Sequence, residues 1–306
     1  MYFLLGCAAA CTPPRTTPDS DAKSPTNEST RATLGQSISA PDAVRTLPES
    51  ASPSLQPEKA PPADEATSTA SITGDKPTEH FTIADDQGRP IEVYPPISNE
   101  PRAPFVVLLH ATCMQPAWVC DWFGNAGRDN GWLVCPSGNS TCAGEPDWHG
   151  PGPEKAGFLE NALRKVEARV PTFVDEESGV LIGWSRGAFA ARDILYAALD
   201  DPQSFPHAKR FRGLVLMAAA VKPDPSKLRR AGIMRVVMAA GDYDGAKSTM
   251  VSAANVLRAG GLEVRYVSLG KIAHVWPNDF ETLMREPIAW AGQKTRSEHV
   301  PAIFTN

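Results

Sequence analysis

From about residue 80 onward, the chain contains two kinds of apolar segment. Segments 81–83 and 91–94 alternate apolar and polar residues on either side of the turn-rich stretch 85–90, which predicts an antiparallel hairpin. The later segments are continuously apolar, as is typical of strands buried on both faces of a parallel sheet. We predict such strands at 105–109, 132–134, 180–182, 214–217, 236–238 and 264–267.

Helix-forming segments separate these apolar runs. We predict helices at about 117–130, 154–169, 186–199, 246–259 and 278–290. A leading hairpin followed by alternating strands and helices predicts an α/β fold with a doubly wound, mostly parallel sheet. In such a sheet the functional site lies at the carboxyl ends of the strands. The strand that ends near Met217 is followed only by the short connection 220–232, so we predict no large cap domain.

The composition changes before the hairpin. Residues 12–79 contain no aromatic residue and no cysteine, and they are dominated by proline, serine, threonine, alanine and charged residues. Such a segment buries too little apolar surface to offset its conformational entropy, so we predict a disordered linker. The predicted folded domain spans 80–295, followed by a C-terminal tail at 296–306.

Residues 1–11 contain a short apolar run that ends in small residues and cysteine. Leu4-Leu5-Gly6-Cys7 resembles the lipobox of a bacterial lipoprotein signal, in which Cys7 would carry the lipid. A positively charged region before the run is missing, so we expect the true start of the protein to lie upstream of Met1; the alternative is that the segment is no signal. The signal interpretation predicts an exported protein that is secreted or attached to the membrane of the cell envelope through its lipid.

The overall charge is mild, with a net charge of −5 over 306 residues. No basic block or stripe indicates nucleic-acid binding, and no apolar run is long enough to cross a bilayer as an internal helix. We therefore expect neither nucleic acid as a partner nor an internal membrane span.

Four of the six cysteines lie within the predicted folded domain, and an even set suits disulfides in an exported protein. Bridges between sequence neighbours are the simplest pairing, but three connectivities remain open, and any of them could stiffen the loops around the site. Zinc binding is disfavoured because no pair has C-x-x-C spacing and no histidine pair completes a ligand set, so we expect no metal. The four cysteines in the predicted folded domain are Cys113, Cys120, Cys135 and Cys142.

The stretch from Gly183 to Gly187 reads G-x-S-x-G between an apolar run and a helix-forming segment. A tight turn from strand to helix requires glycine two positions before and two positions after the serine, because larger side chains would collide there. The turn exposes the Ser185 hydroxyl, while the helix N-terminus and the Arg186 backbone N–H point at an oxygen that becomes negative on attack. Ser185 is therefore a predicted nucleophile.

A serine nucleophile needs a base and a carboxylate that orients the base. Asp242 and Asp244 follow the next-to-last predicted strand, and His274 follows the last one. The order Ser, Asp, His, each after its own strand, supplies both groups. We favour Asp244 as the acid because it lies further along the loop and reaches the histidine more easily, with Asp242 as the alternative.

Other residues near these loops have less defined roles. His149 precedes the serine, which breaks the expected order, so we interpret Trp148 and His149 as substrate-pocket wall or as loop packing. Trp184 either lines the acyl pocket or packs the turn. His110 is interpreted as a buried structural residue beneath the loop after the first parallel strand, and Arg186 as a solvated side chain whose backbone matters more than its charge.

Over residues 80–290, these motifs and their order resemble the α/β-hydrolases, in particular the secreted esterase, feruloyl esterase and polyhydroxybutyrate depolymerase-like proteins. In these proteins the first parallel strand similarly ends in a histidine motif followed by a cysteine. The resemblance implies Ser185 as nucleophile, Asp244 as acid and His274 as base.

The resemblance also implies an oxyanion hole formed by the backbone N–H groups of Thr112 and Arg186, although Ala111 stands where the family usually has glycine. It implies a carboxylic ester hydrolase with an acyl-enzyme intermediate, no cofactor, and a small-molecule or polymer ester as substrate. The alternatives are a peptidase or acyltransferase on the same triad, or a non-catalytic surface-binding module that keeps the fold.

Overall fold

Eight strands form the main sheet, and the computed structural model describes them within residues 76–175 and 178–293. The chain divides into two units, Met1–Thr67 and Ser68–Asn306, and the described residues belong to the second unit. The predicted signal with Cys7, the predicted linker up to residue 75 and the predicted tail lie outside the described residues.

The hairpin and the six continuous apolar runs of the sequence form the main sheet, as predicted. Two short strands, β5 and β6, form a separate antiparallel hairpin. In chain order the strands are β1 (Phe81–Ala84), β2 (Pro90–Tyr94), β3 (Phe105–Leu109), β4 (Trp132–Pro136), β5 (Ser140–Cys142), β6 (Glu145–Asp147), β7 (Gly179–Trp184), β8 (Phe211–Met217), β9 (Arg235–Ala240) and β10 (Glu263–Ser268).

The main sheet is mostly parallel, with the strand order β1-β2-β4-β3-β7-β8-β9-β10. Only β2 pairs antiparallel, with β1 on one side and β4 on the other. Every residue of β3 and β7 is buried, because helices cover both faces of the sheet. The chain runs from β3 to β4 on one side and then to β7 on the other, so the order reverses between β3 and β7.

Helices lie on both faces of the sheet, which makes it doubly wound. Alternate residues of a strand face opposite sides, so Val106 and Leu108 pack with α1 and α6, while Val107 and Leu109 pack with α2, α3 and α5. The helices are α1 (Pro116–Arg128), α2 (Gly152–Arg169), α3 (Arg186–Asp200), α4 (Pro225–Arg230), α5 (Lys247–Ala259) and α6 (Phe280–Gly292).

Three short features of the structure are not predicted from the sequence, one of which is a 3₁₀ helix at His207–Arg210. The β5–β6 hairpin turns at Ala143 and Gly144, both with positive φ, and its strands carry no apolar run. Helix α4 is six residues long and lies in the connection 218–234 between β8 and β9. This connection contains no large cap, as predicted. Within the described residues, no helix is long and apolar enough to cross a membrane.

The structure pairs the four inner cysteines in a nested arrangement, as Cys113–Cys142 and Cys120–Cys135, with Cα–Cα distances of 5.1 and 6.0 Å. The simplest pairing between sequence neighbours is therefore wrong. Cys120 on α1 and Cys135 on β4 both lie in the core on the α1 side of the sheet, so they face each other.

Candidate active site

Ser185 lies in the sharp turn between β7 and α3, with φ 52° and ψ −113°. A Cβ atom at Gly183 would collide with the backbone of Gly187 and Ala188, and one at Gly187 would collide with the carbonyl oxygen of Leu109. Both positions therefore require glycine, for the steric reason that the sequence suggests. The backbone N–H of Ser185 donates to the Met217 carbonyl at 2.9 Å, which fixes the turn to β8.

His274 connects Ser185 to Asp244. Its Nε2 lies 3.0 Å from Ser185 Oγ, and its Nδ1 lies 3.0 Å from Asp244 Oδ2. The Asp244 side chain is 3% exposed, and its second oxygen accepts the Ala246 backbone N–H at 2.8 Å. Because a carboxylate only accepts, Nδ1 carries the proton and Nε2 is free to accept the hydroxyl proton of Ser185.

The neighbouring Asp242 has other partners. Its Oδ1 accepts hydrogen bonds from Lys247 Nζ and Ser268 Oγ, both at 2.9 Å. The hydrogen bond from Lys247, supported by that from Ser268, holds the pKa of the Asp242 carboxyl below its usual value. The structure thus brings Asp244, and not Asp242, to the imidazole of His274.

The backbone N–H groups of Thr112 and Arg186, which the sequence suggests as oxyanion donors, have no backbone acceptor among the described residues. Arg186 is the first residue of α3, so its N–H has no acceptor within the helix. Thr112 lies in the loop after β3, and among the described residues no backbone carbonyl accepts its N–H. Beneath this loop His110 is buried between the carbonyl oxygens of Ala111, at 2.6 Å, and Ser137, at 2.7 Å. Burial lowers the pKa of the His110 imidazole, which favours its neutral form.

A cleft of about 530 Å³ opens directly above Ser185. Its surface is mainly apolar, and no element of the described chain encloses it as a tunnel. The lining residues are Ala111, Thr112, Met114, Trp122, Trp184, Ser185, His274, Val275 and Trp276.

Three tryptophans form one wall of this cleft. The ring of Trp184 stacks on Trp276 with centroids 3.8 Å apart and planes 17° apart. Trp122 continues the wall, 5.7 Å from Trp276, and is 44% exposed. Trp184 therefore lines the cleft as well as packing the turn. Sequence reasoning missed Trp122 and Trp276; the only signal was the position of Trp276 two residues after His274.

Trp148 and His149 lie outside the cleft lining. Trp148 is fully buried and packs against His110 and Phe158, with ring centroids 5.6 and 5.7 Å away. The His149 side chain is half exposed, and its Nε2 lies 2.8 Å from Asp147 Oδ2. Of the two interpretations offered by the sequence, the structure thus assigns Trp148 to packing.

The Arg186 side chain is 41% exposed, in line with the sequence-based interpretation of a solvated side chain, but it also makes two contacts that the sequence did not predict. Its Nε donates to Thr112 Oγ1 at 3.3 Å and lies 3.7 Å from Asp147 Oδ1. Both partners come from parts of the chain distant in sequence, so the contacts could not be inferred from the residues around Ser185.

The described residues contain no group of three or more His, Cys, Asp or Glu side chains that could hold a metal ion. The four inner cysteines, which zinc would need, are instead bound in the two disulfides. Cys113 follows Thr112 directly, so one disulfide is attached to the loop that carries a candidate oxyanion donor.

No family model matches the chain, and no curated protein is similar to it in sequence. Solved structures are similar to it in fold. A fungal esterase from Rhizomucor miehei is 14% identical with a TM-score of 0.50, over 70% of this chain and 82% of that chain. A thermostable esterase from Pseudomonas putida is 12% identical with a TM-score of 0.50, over 71% of this chain and 83% of that chain.

A fluorophosphonate-binding serine hydrolase from Staphylococcus aureus is also similar, at 10% identity and a TM-score of 0.50. The match covers 70% of this chain and 98% of that chain. At these identities the similarity concerns the fold alone. The chain has the α/β-hydrolase fold, as predicted, without a large cap domain.

Proposed function

We propose that the chain is a serine hydrolase that cleaves carboxylic esters through an acyl-enzyme intermediate. The observation that carries this proposal is the continuous hydrogen-bonded chain from Ser185 through His274 to Asp244. The α/β-hydrolase neighbours, which are esterases and a serine hydrolase by their descriptions, support the same reaction class.

The geometry supports a defined sequence of proton transfers. His274 Nε2 takes the hydroxyl proton as Ser185 Oγ attacks the ester carbonyl carbon, and the buried Asp244 carboxylate stabilises the resulting imidazolium. His274 then gives the proton to the leaving alkoxide, which leaves an acyl group on Ser185. Water, deprotonated by the same imidazole, attacks the acyl carbon; the bond from this carbon to Ser185 Oγ then breaks, and the imidazolium returns its proton to Oγ as the acid is released. The N–H groups of Thr112 and Arg186 stabilise the oxyanion in both steps.

The shape of the cleft supports a short or surface-accessible acyl group. A long lipid chain needs an apolar tunnel, whereas this cleft is open and has one aromatic wall next to Ser185. We propose small-molecule esters or accessible esters of a polymer as substrates. The aromatic wall of Trp184, Trp276 and Trp122 favours acyl groups that stack or lie flat against it.

The backbone of Ser185 argues against a non-catalytic binding module. The Ser185 backbone is strained at φ 52° and ψ −113°, and residues held in such sparsely populated conformations cluster at functional sites. A peptidase or acyltransferase would use the same three side chains, but no contact in the described residues favours an amide substrate or an acyl acceptor other than water.

Export to an oxidising compartment is part of the proposal. The two disulfides support it, because such bonds persist mainly outside the reducing cytosol. Attachment to a membrane through a lipid on Cys7 stays a prediction from the sequence.

The test of the proposed function is covalent labelling. We expect a fluorescent fluorophosphonate probe to label the full chain and p-nitrophenyl acetate to give a burst of p-nitrophenol, with both signals lost in Ser185→Ala. Ser268→Ala is the matched control, because this exposed serine contacts Asp242 rather than His274. A wild type that labels no more strongly than Ser185→Ala would contradict the proposal.

A further inference from the structure

The side chain of Asp147 is a buried charge that the proposed reaction does not use. Asp147 ends β6, its side chain is 0% exposed, and within the described residues neither carboxylate oxygen has a partner in hydrogen-bond geometry. A buried carboxylate without hydrogen bonds is costly, and an apolar residue of similar size would fill the site at a lower cost. The residues around Asp147 should therefore explain why a charged side chain occupies this buried position.

Two side chains that can carry positive charge face this carboxylate. His149 Nε2 lies 2.8 Å from one oxygen, and Arg186 Nε lies 3.7 Å from the other. The same Arg186 Nε donates to Thr112 Oγ1 at 3.3 Å. One guanidinium group thus connects the buried carboxylate to both residues whose backbone N–H groups we propose as oxyanion donors.

The hairpin that carries Asp147 is also attached to the loop of Thr112 by independent contacts. The Met114 backbone N–H donates to the Pro146 carbonyl at 3.1 Å. The Cys113–Cys142 disulfide joins the same loop to β5. The carboxylate therefore has a fixed position relative to the candidate oxyanion hole, as positioning of the arginine requires.

We infer that Asp147 is a positioning residue that acts through the Arg186 guanidinium to hold the N–H groups of Thr112 and Arg186 in oxyanion-binding geometry. The Asp147 carboxylate is fully buried and the Arg186 side chain is 41% exposed, so water partly screens their attraction at 3.7 Å, but the attraction still favours an arginine side chain directed at the carboxylate. Oxyanion donors act only at hydrogen-bond distance from the developing charge, so a small displacement of either donor reduces the rate. This inference rests on the proposed function.

The test is Asp147→Asn, which keeps the shape of the side chain and removes its charge. We expect kcat for p-nitrophenyl acetate to fall about 10- to 100-fold, as for a misplaced catalytic group, while KM changes less than about twofold. Asp193→Asn is the matched control, because Asp193 pairs with Lys155 of α2 at 2.7 Å and does not line the cleft. We expect the control to keep the wild-type kcat.

A double mutant separates positioning from a structural role. Arg186→Gln removes the guanidinium and keeps the backbone N–H, so Asp147→Asn should lower kcat less than about twofold further in that background. Effects that multiply would overturn the inference, as would a wild-type kcat in the single Asp147→Asn variant.

A second variant keeps the inference testable if Asp147→Asn does not fold. Thr112→Val removes the oxygen that accepts the arginine Nε, and we expect the same loss of kcat with little change in KM. A wild-type kcat in Thr112→Val would overturn the inference. Fluorophosphonate labelling of the wild type reports the proposed function separately: labelling of Ser185 together with a wild-type kcat in the variants would reject only the role of Asp147.

Discussion

Asp242 and Asp244 are two residues apart in one loop, yet only Asp244 reaches the imidazole of His274. The partly exposed Asp242 is held by Lys247, whereas Asp244 is buried and accepts the Ala246 N–H through its second oxygen. The sequence favours Asp244 because it lies further along the loop than Asp242. In the structure, the turn at Gly241 directs the following residues toward the loop of His274, so the residue further along the loop is the one that contacts the imidazole. The backbone hydrogen bond from Tyr243 N–H to the Ile272 carbonyl, at 2.9 Å, fixes this approach.

We predict that Asp244→Asn lowers kcat for p-nitrophenyl acetate by roughly 10³- to 10⁴-fold, because an amide favours the wrong imidazole tautomer and cannot stabilise its charged form. Asp242→Asn is the matched change in the same loop, and it should keep kcat within about threefold. Steady-state kinetics of the two purified variants measure both effects. Equal losses in the two variants would contradict the assignment of Asp244.

The glycine at position 187 allows a second prediction at the residue scale. A Cβ atom there would collide with the carbonyl oxygens of Leu109 and His110, which are backbone atoms that cannot move away separately. We therefore expect Gly187→Ala to lower the free energy of unfolding by about 3 kcal/mol, the upper end for an overpacked core, and to abolish probe labelling.

Gly157→Ala provides the control for that substitution. Gly157 lies within α2, and its added Cβ would meet only a Phe205 ring carbon at 3.9 Å. Alanine should therefore stabilise the helix by about 0.5–1 kcal/mol. Urea unfolding measures both changes, and a Gly187→Ala variant as stable and as readily labelled as the wild type would contradict the collision argument.

Single residues were predictable where local rules decide their roles. The strand, turn and helix around Ser185 are encoded in adjacent residues, so the turn that exposes this serine could be predicted together with its two glycines. The side-chain contacts of Arg186 could not, because Thr112 and Asp147 approach it from distant loops. The position of Trp122 in the cleft could not be predicted for the same reason, because it depends on how α1 packs over the sheet.

At the scale of elements, the continuous apolar runs predicted the strands of the main sheet because burial on both faces leaves little choice of residue. The β5–β6 hairpin and α4 were missed because they are short and their sequences are mostly polar. The hairpin is nevertheless functionally important in our proposal, since it carries Asp147 and Cys142. Its position over the loop of Thr112 also determines the cysteine pairing.

The Cys120–Cys135 disulfide joins two elements, α1 and β4, and closes a loop with a sequence separation of 15 residues. The chain-entropy model gives about 3 kcal/mol for a loop of this length. We expect the double variant Cys120→Ala/Cys135→Ala to lose about that much free energy of unfolding, measured by urea denaturation under oxidising conditions. An unchanged unfolding midpoint would contradict the pairing. The corresponding Cys113→Ala/Cys142→Ala variant should lose hydrolytic activity in addition to stability, because its disulfide is attached to the loop of Thr112.

At the scale of the whole molecule, the strand order explains where the site forms. The order reverses between β3 and β7, so the loops after these two strands separate and leave a crevice at their carboxyl ends. Thr112 and Ser185 lie on the two sides of this crevice. The sequence predicted the class of sheet, but not the order of its strands, because strand pairing depends on contacts across the whole fold.

The absence of a large cap between β8 and β9 in the described residues leads to a prediction about kinetics. A hydrolase with a movable lid is activated when an ester interface opens it, whereas the cleft above Ser185 is already open. We therefore expect the hydrolysis rate of tributyrin to rise smoothly with concentration through the solubility limit, without a jump when droplets form. Titration of released acid measures this rate.

The Trp122→Ala variant should follow the same smooth curve with a higher KM, because it shortens the aromatic wall without exposing or covering Ser185. A sharp rise at the solubility limit in the wild type would mean that part of the chain closes over the cleft in solution, contrary to the open architecture.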